Sequence, residues 1–288
     1  MDSIEKQQSL DALLPPAMAV KAEDVGVAKA GRDALGTLAL GVLAGAFIAL
    51  GAVFATVASV GSADAIGFGA ARVLAGTVFS LGLILVVVGG AELFTGNNLI
   101  VMAWASRKVS TKRLLRNWGL VYLGNFIGSF GTAVMVHLSG HAAFGGGEVG
   151  LALISLAQAK SQYHPVNAVF LGVLGNALVC LAVWLSFSAR SAADKVLVIV
   201  PPIAAFVAVG FEHVIANMYY FSIATLTLYA SPDAFWSAVD AAPSDYPDLR
   251  AADALLNNLL PVTLGNIIGG AGLVGAVYWF VYLRNRKD

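Results

Sequence analysis

Charge is scarce in this chain. Asp, Glu, Lys and Arg make up 12% of its 288 residues, against roughly 25% in water-soluble domains, and mean hydropathy is +0.80. Cysteine is rarer still. Cys180 stands alone, which excludes an intrachain disulfide and a cysteine-based metal cluster and leaves a small packed hydrophobe. The first 30 residues are polar and mixed in charge, with no apolar stretch ahead of the first long hydrophobic run, so no cleavable signal peptide is expected. Neither a nucleotide loop nor a basic strip occurs, so nucleotide and nucleic acid are not expected partners. "GFEHVIAN" holds a Glu and a His but lacks the i, i+4 His pair of a zinc hydrolase helix. His137, His141 and His164 lack companion carboxylates at metal-ligand spacing. An enzyme, a metal and a cofactor are therefore not expected. The Asn-Pro-Ala loops that mark neutral-solute pores are also missing.

Apolar residues and glycine fill the space. The chain is 58% hydrophobic with 31 glycines, and its apolar runs of about 20 residues have the length of transmembrane helices. Windows and breakers give six spans, at 33–58, 70–105, 115–138, 165–187, 195–229 and 256–282. The second and fifth are too long for one simple helix and are interrupted. Polar segments at 139–163 and 230–254 are the longest between spans. Of the 17 Lys and Arg residues, 14 fall on one set of alternate ends, leaving only Arg72, Lys160 and Arg250 on the other. The positive-inside bias places both termini in the cytoplasm. The expected organisation is a cytoplasmic segment at 1–30, a six-helix channel domain at 31–283 and a cytoplasmic tail at 284–288. Within the first segment, residues after Pro15 and Pro16 suit a short amphipathic helix; a frayed tail is the other reading.

The halves echo one another. "GGAELFTGN" sets Glu92 and Asn97 five apart, as "VGFEHVIAN" sets Glu212 and Asn217. "YLGNFIG" in the third span matches "TLGNIIG" in the sixth. Three spans per half make the halves opposite in membrane sense, an inverted 3+3 repeat. The first break is expected near Leu93 to Thr95, and Pro201, Pro202 and Gly210 bracket the second. Breaks at membrane depth survive only where protein or a wet cavity satisfies the freed backbone, and half-helix N-termini suit an anion. Asn97, Asn125, Asn176, Asn217 and Asn266 point to a polar network inside the bundle. Glu92 and Glu212 read as structural, since a bare carboxylate on the path repels an anion.

Five segments, "FSLGLILVVVGGAELFTGN", "NWGLVYLGNFIGS", "AVWLSFSARSAADK", "FEHVIANMYY" and "NLLPVTLGNIIGG", resemble the formate/nitrite transporter family in one register, and most its formate channel branch. That resemblance implies an all-α membrane protein with an aquaporin-like protomer, assembled as a homopentamer in the lipid of a bacterial cytoplasmic membrane. It further implies one substrate path per protomer, for formate with protons as a second partner; nitrite, acetate or hydrosulfide is the alternative cargo. The family's pore histidine falls on His213, and its loop threonine on Thr95 beside Leu93 and Phe94. Aromatic gates fall on Phe79 and Phe206, with Leu83 and Val179 as apolar constriction partners. Asn176 and Asn266 match polar positions near the histidine, Asn217 follows it, and Lys160 matches a lysine near the outer mouth. Glu92 departs from the Asp of formate channels. The N-terminal segment is implied to cover the inner mouth.

Overall fold

The structure, a computed structural model, describes residues 12–247 and 249–286; expectations for residues 1–11 and for Lys287 and Asp288 fall outside them. The chain folds as a membrane-spanning bundle of helices. In order these are α1 (Pro15–Gly31), α2 (Ala34–Ser59), a short α3 (Ser62–Ile66), α4 (Phe68–Gly89), α5 (Val101–Ala105), α6 (Thr111–Leu138) and α7 (Glu148–Ser161). Then follow α8 (Pro165–Ser188), α9 (Ala192–Ala208), α10 (Val214–Ala230), a short α11 (Asp233–Ala238) and α12 (Ala251–Tyr282). A 3-10 turn, Gly96–Ile100, leads into α5, and α12 is wound as π-helix at Ala254–Leu259 and Ile268–Ala276.

Local chemistry explains the boundaries. Asp33 caps α2 by accepting from the Gly36 amide at 2.8 Å. Ser191 and Asp194 form a capping box at the start of α9, and Pro165 opens α8 at the position where its missing N–H is no loss. Both interruptions turn on glycine in the left-handed region: Gly90 has φ +84° and Gly210 has φ +79°. The second break lies there, and not at the prolines, for Pro201 and Pro202 sit inside a continuous α9.

Among the described residues six helices are long and apolar enough to cross a membrane, and five of them coincide with spans that the sequence suggests. The fifth span is two halves of 17 residues each, whereas His141–Ser161, expected as part of a polar segment, qualifies by length. The stretch is kinked by Gly145, Gly146 and Gly147, all at positive φ, so α7 proper has 14 residues and a length of about 21 Å, short of a hydrocarbon core of about 30 Å. Its neighbours fix its side. Arg116 at the start of α6 donates to the Arg32 carbonyl at 3.1 Å, and Ser188 at the end of α8 donates to the Leu13 carbonyl at 3.0 Å. Both ends therefore lie beside α1. The opposite ends of α6 and α8, and α7 between them, lie across the bundle. These faces are here the α1 side and the α7 side.

The motif glycines set the helix spacing. A β-carbon on Gly128 would overlap the Val42 carbonyl of α2, and one on Gly269 the Val173 carbonyl of α8; only hydrogen permits each approach. Gly128→Val is expected to cost about 1–3 kcal/mol through overpacking, measurable as a lower unfolding temperature of the detergent-solubilised protein.

Candidate functional site

Each break is held by a set of side chains, and the two sets match. Asn125 donates to the carbonyls of Gly41 (2.8 Å) and Glu92 (2.9 Å) and accepts from the Phe94 amide (2.9 Å). Asn266 donates to the carbonyls of Gly172 (2.8 Å) and Glu212 (3.0 Å) and accepts from the Val214 amide (3.0 Å). Even the amides of Glu92 and Glu212 donate alike, to the Leu40 and Leu171 carbonyls. One amide per half thus satisfies the backbone that the glycine turn frees, as a break at membrane depth requires.

The carboxylates are bound alike too. Glu92 accepts from Asn97 (2.6 Å) and Lys29 of α1 (3.1 Å), with Arg32 at 3.3 Å; Asn97 also donates to Asn117 (2.9 Å), and Asn117 to the Lys29 carbonyl (3.3 Å). Glu212 accepts from Asn217 (2.6 Å), Asn258 (3.1 Å) and Lys160 of α7 (2.5 Å); Asn217 also donates to Asn258 (2.6 Å), and Asn258 to the Lys160 carbonyl (3.2 Å). The inverted repeat therefore begins with the short helix: α1 is the counterpart of α7, and Lys29 of Lys160. Both carboxylates are saturated by cations and amides. Among the described residues neither carboxylate is hydrogen-bonded to the His213 ring, whose partners are Thr95 and the Ala216 amide.

His213 and Thr95 join the two breaks. His213 is the N-cap of α10, its Nδ1 accepting from the Ala216 amide at 3.2 Å. That bond leaves the ring proton on Nε2, which lies 2.8 Å from the Thr95 hydroxyl. Thr95 precedes the Gly96–Ile100 turn, and its carbonyl accepts from Asn176 at 3.3 Å and from the Cys180 thiol at 3.2 Å. Two half-helix N-termini, each a positive dipole end, thus meet inside the bundle at one hydroxyl–imidazole contact. Both side chains are buried.

A vestibule approaches this pair from each side. On the α7 side a cavity of about 140 Å³ is lined by Arg72, Lys160, Phe79 and Phe206 and ends on His213. The Phe79 and Phe206 rings stand 6.1 Å apart, and Phe206 meets the imidazole edge-on at 6.0 Å. Arg72 donates to the Val207 and Ala208 carbonyls, closing the C-terminal end of α9. On the α1 side a larger cavity, about 360 Å³, is lined by Lys21, Lys29, Arg32, Lys195 and Glu92, with Leu83 and Leu93 also in its wall. Burial and the nearby Lys195 and Arg190 hold the Lys21 ammonium below its usual range, as expected where cations crowd. At the α7-side mouth, burial and the Glu212 carboxylate push the Tyr163 phenol up to about 12.

The remaining residues singled out from the sequence take other places. Phe94 lines neither vestibule: its ring packs edge-on against Trp118 (6.1 Å) and Tyr122 (5.0 Å), pinning the first break to α6. Val179 is buried in the core behind the pair and lines neither cavity. Asn266 and Asn176 belong to the scaffold, Asn176 also donating to the Asn266 carbonyl at 2.6 Å. Asn217 borders the α7-side vestibule while holding Glu212. Lys29, Arg32, Arg72, Asn117 and Asn258 were not singled out. A signal existed for three of them: Lys29 precedes Gly41 by twelve residues as Lys160 precedes Gly172, and Asn117 precedes Asn125 by eight as Asn258 precedes Asn266. Among the described residues no cluster of His, Cys, Asp or Glu is placed to hold a metal ion.

A family model described as formate/nitrite transporter matches residues 16–280. "Formate channel FocA" of Escherichia coli (strain K12) is 46% identical over 275 residues, 95% of this chain and 96% of the relative. "Formate channel FocA" of Haemophilus influenzae is 39% identical over 275 residues, 96% of each. Of solved structures, "Pentameric formate channel with formate bound" matches with a TM-score of 0.83 at 44% identity, over 87% of this chain and 98% of that one. "FNT family ion channel" matches with a TM-score of 0.77 at 26% identity, over 92% and 98%.

Proposed function

The chain belongs to the formate/nitrite transporter family, and from that premise we propose that it passes formate across a bacterial cytoplasmic membrane through a pore in each protomer of a homopentamer. The observation that carries the reading is the buried His213–Thr95 contact at 2.8 Å, set where two breaks meet between two cation-lined vestibules. An anion entering either vestibule meets a wall that carries cations. It sheds water at Phe79 and Phe206 from one side, or at Leu83 and Leu93 from the other, and then finds two donors, the imidazole Nε2–H and the Thr95 hydroxyl. A carboxylate accepts both, and charge-assisted hydrogen bonds offset part of its lost hydration. Formate is small and planar enough to pass where a modest parting of the packed Phe79 and Phe206 rings opens the way; nitrite, also a small planar monoanion, is the competing cargo.

Proton coupling belongs to the proposal. Formate moving with a proton avoids carrying a bare charge through a dry slit. Nδ1 is occupied by the Ala216 amide, so a relay through the ring would break the α10 cap. The geometry favours His213 as a hydrogen-bond donor, with the proton joining the anion from the vestibule. Flux of labelled formate and nitrite into proteoliposomes tests the function. Formate uptake that outpaces nitrite and rises as external pH falls supports it; preference for nitrite reassigns the cargo.

The α1 side is taken as cytoplasmic, on the 14-to-3 distribution of Lys and Arg. In a Cys180→Ser background, Ser237→Cys on the α7 side is expected to react with a membrane-impermeant maleimide added to intact cells. Lys112→Cys at the start of α6 is expected to react only after lysis. The reverse pattern inverts the topology.

A further inference from the structure

On the α1 side, apart from both vestibules, the turn between α5 and α6 meets the end of α12 around a third cavity of about 310 Å³. Its wall carries Arg107, Lys108, Arg284 and Arg286 against one carboxylate, Glu23 of α1. The Glu23 side chain is 3% exposed and is engaged by Lys108 at 2.7 Å and Arg286 at 3.9 Å. Among the described residues the lining therefore sets four cations around one carboxylate. The Trp279 indole donates to the Ser106 hydroxyl at 3.0 Å on another wall. The turn itself is tight: Lys108 and Val109 both donate to the Ala103 carbonyl, and Arg107 sits at φ +62°.

The surface changes character within about two turns of α12. Arg284 lies 3.7 Å over the Phe280 ring, and Phe280, Val277 and Val281 are all at least half exposed. Cations at the helix end, an indole at the boundary and bare apolar side chains beyond match the layering of a bilayer leaflet. A soluble anion would use the charged part alone.

We propose that this cavity binds the headgroup of an anionic phospholipid, its phosphate among Arg107, Lys108, Arg284 and Arg286 and its acyl chains along Val277, Phe280 and Val281. Because Lys108 and Arg286 also engage Glu23 of α1, the lipid phosphate and Glu23 share these cations, which ties the α5–α6 turn and the end of α12 to α1 at the membrane surface. The site is independent of which anion the pore carries.

Native mass spectrometry of the full-length assembly, titrated with phosphatidylglycerol or phosphatidylcholine of matched chains, tests the proposal. Wild type is expected to retain phosphatidylglycerol preferentially. R107Q/R284Q is expected to bind it about thirtyfold more weakly, given the contribution of each basic residue near a membrane surface, with phosphatidylcholine unchanged. Inorganic phosphate at matched concentration is expected to displace nothing. Equal retention of the two lipids, unchanged affinity in the variant, or displacement by phosphate would each overturn the proposal, the last by making the site one for a soluble anion. If the double variant fails to assemble, Arg284→Gln alone is read by the same criteria, with a loss of about fivefold expected.

Discussion

Glu212→Gln is expected to destabilise the protein by about 3–5 kcal/mol, enough to show as lost yield or a much lower unfolding temperature. The Lys160 side chain is only 11% exposed, and its ammonium lies 2.5 Å from the carboxylate. Removing the negative charge leaves a buried cation with amides that cannot neutralise it. Lys160→Met should do comparable damage from the other side, and the double variant should recover much of it. A thermal-unfolding double-mutant cycle gives the coupling directly; additive losses would mean that the pair is not a unit. The counterpart is expected to respond less. Lys29 and Arg32 keep 27% and 37% of their side-chain surface open, so water can solvate them in Glu92→Gln. Equal losses in the two variants would contradict the assignment of one pair as dry and the other as wet.

His213→Ala is expected to lower formate flux on the order of tenfold to a hundredfold, the size of losing a hydrogen bond of about 1.5–3 kcal/mol to a charged group. It also removes the α10 cap, at about 1 kcal/mol of stability. His213→Asn separates the roles. Its amide oxygen can accept from the Ala216 amide and its NH2 can donate toward the path, so flux is expected to stay within a few-fold of wild type. The informative reading is the pH profile. Acid stimulation that persists in His213→Asn places the proton step outside the imidazole; acid stimulation lost with flux intact at neutral pH places it on the ring.

Much of this architecture was legible because a membrane penalises the features that mark it. Glycines, amides and a Glu–His pair at hydrocarbon depth need a reason, and in both halves the reason was a break. The Gly-Asn-x-x-Gly motif in α6 and α12 showed as a repeat because close helix approach requires the glycines and the freed backbone requires the amide. What did not show has physical causes as well. α7 is about two-thirds the length of a span and carries a lysine in its last turn, so a window tuned to full crossings reads it as loop. Lys29 sits in a cation-rich stretch where each charge reads as a topology signal, and nothing local distinguishes the one that turns inward. Phe94 stands beside Thr95 in sequence, yet its ring faces α6; adjacency in an irregular segment does not fix direction.

The pairing of Lys29 with Lys160, and of α1 with α7, bears on rectification. A pseudo-twofold axis in the membrane plane places a lysine-bound carboxylate and a broken helix on the route from either end, while the constrictions differ, aromatic on the α7 side and aliphatic on the α1 side. The α1-side vestibule carries more positive charge, which sets how often each end is occupied. By detailed balance it cannot set a net direction. Under the proposed passive or proton-coupled passage, uptake and efflux are one process read in two senses, and the gradients of formate and protons decide which the cell sees.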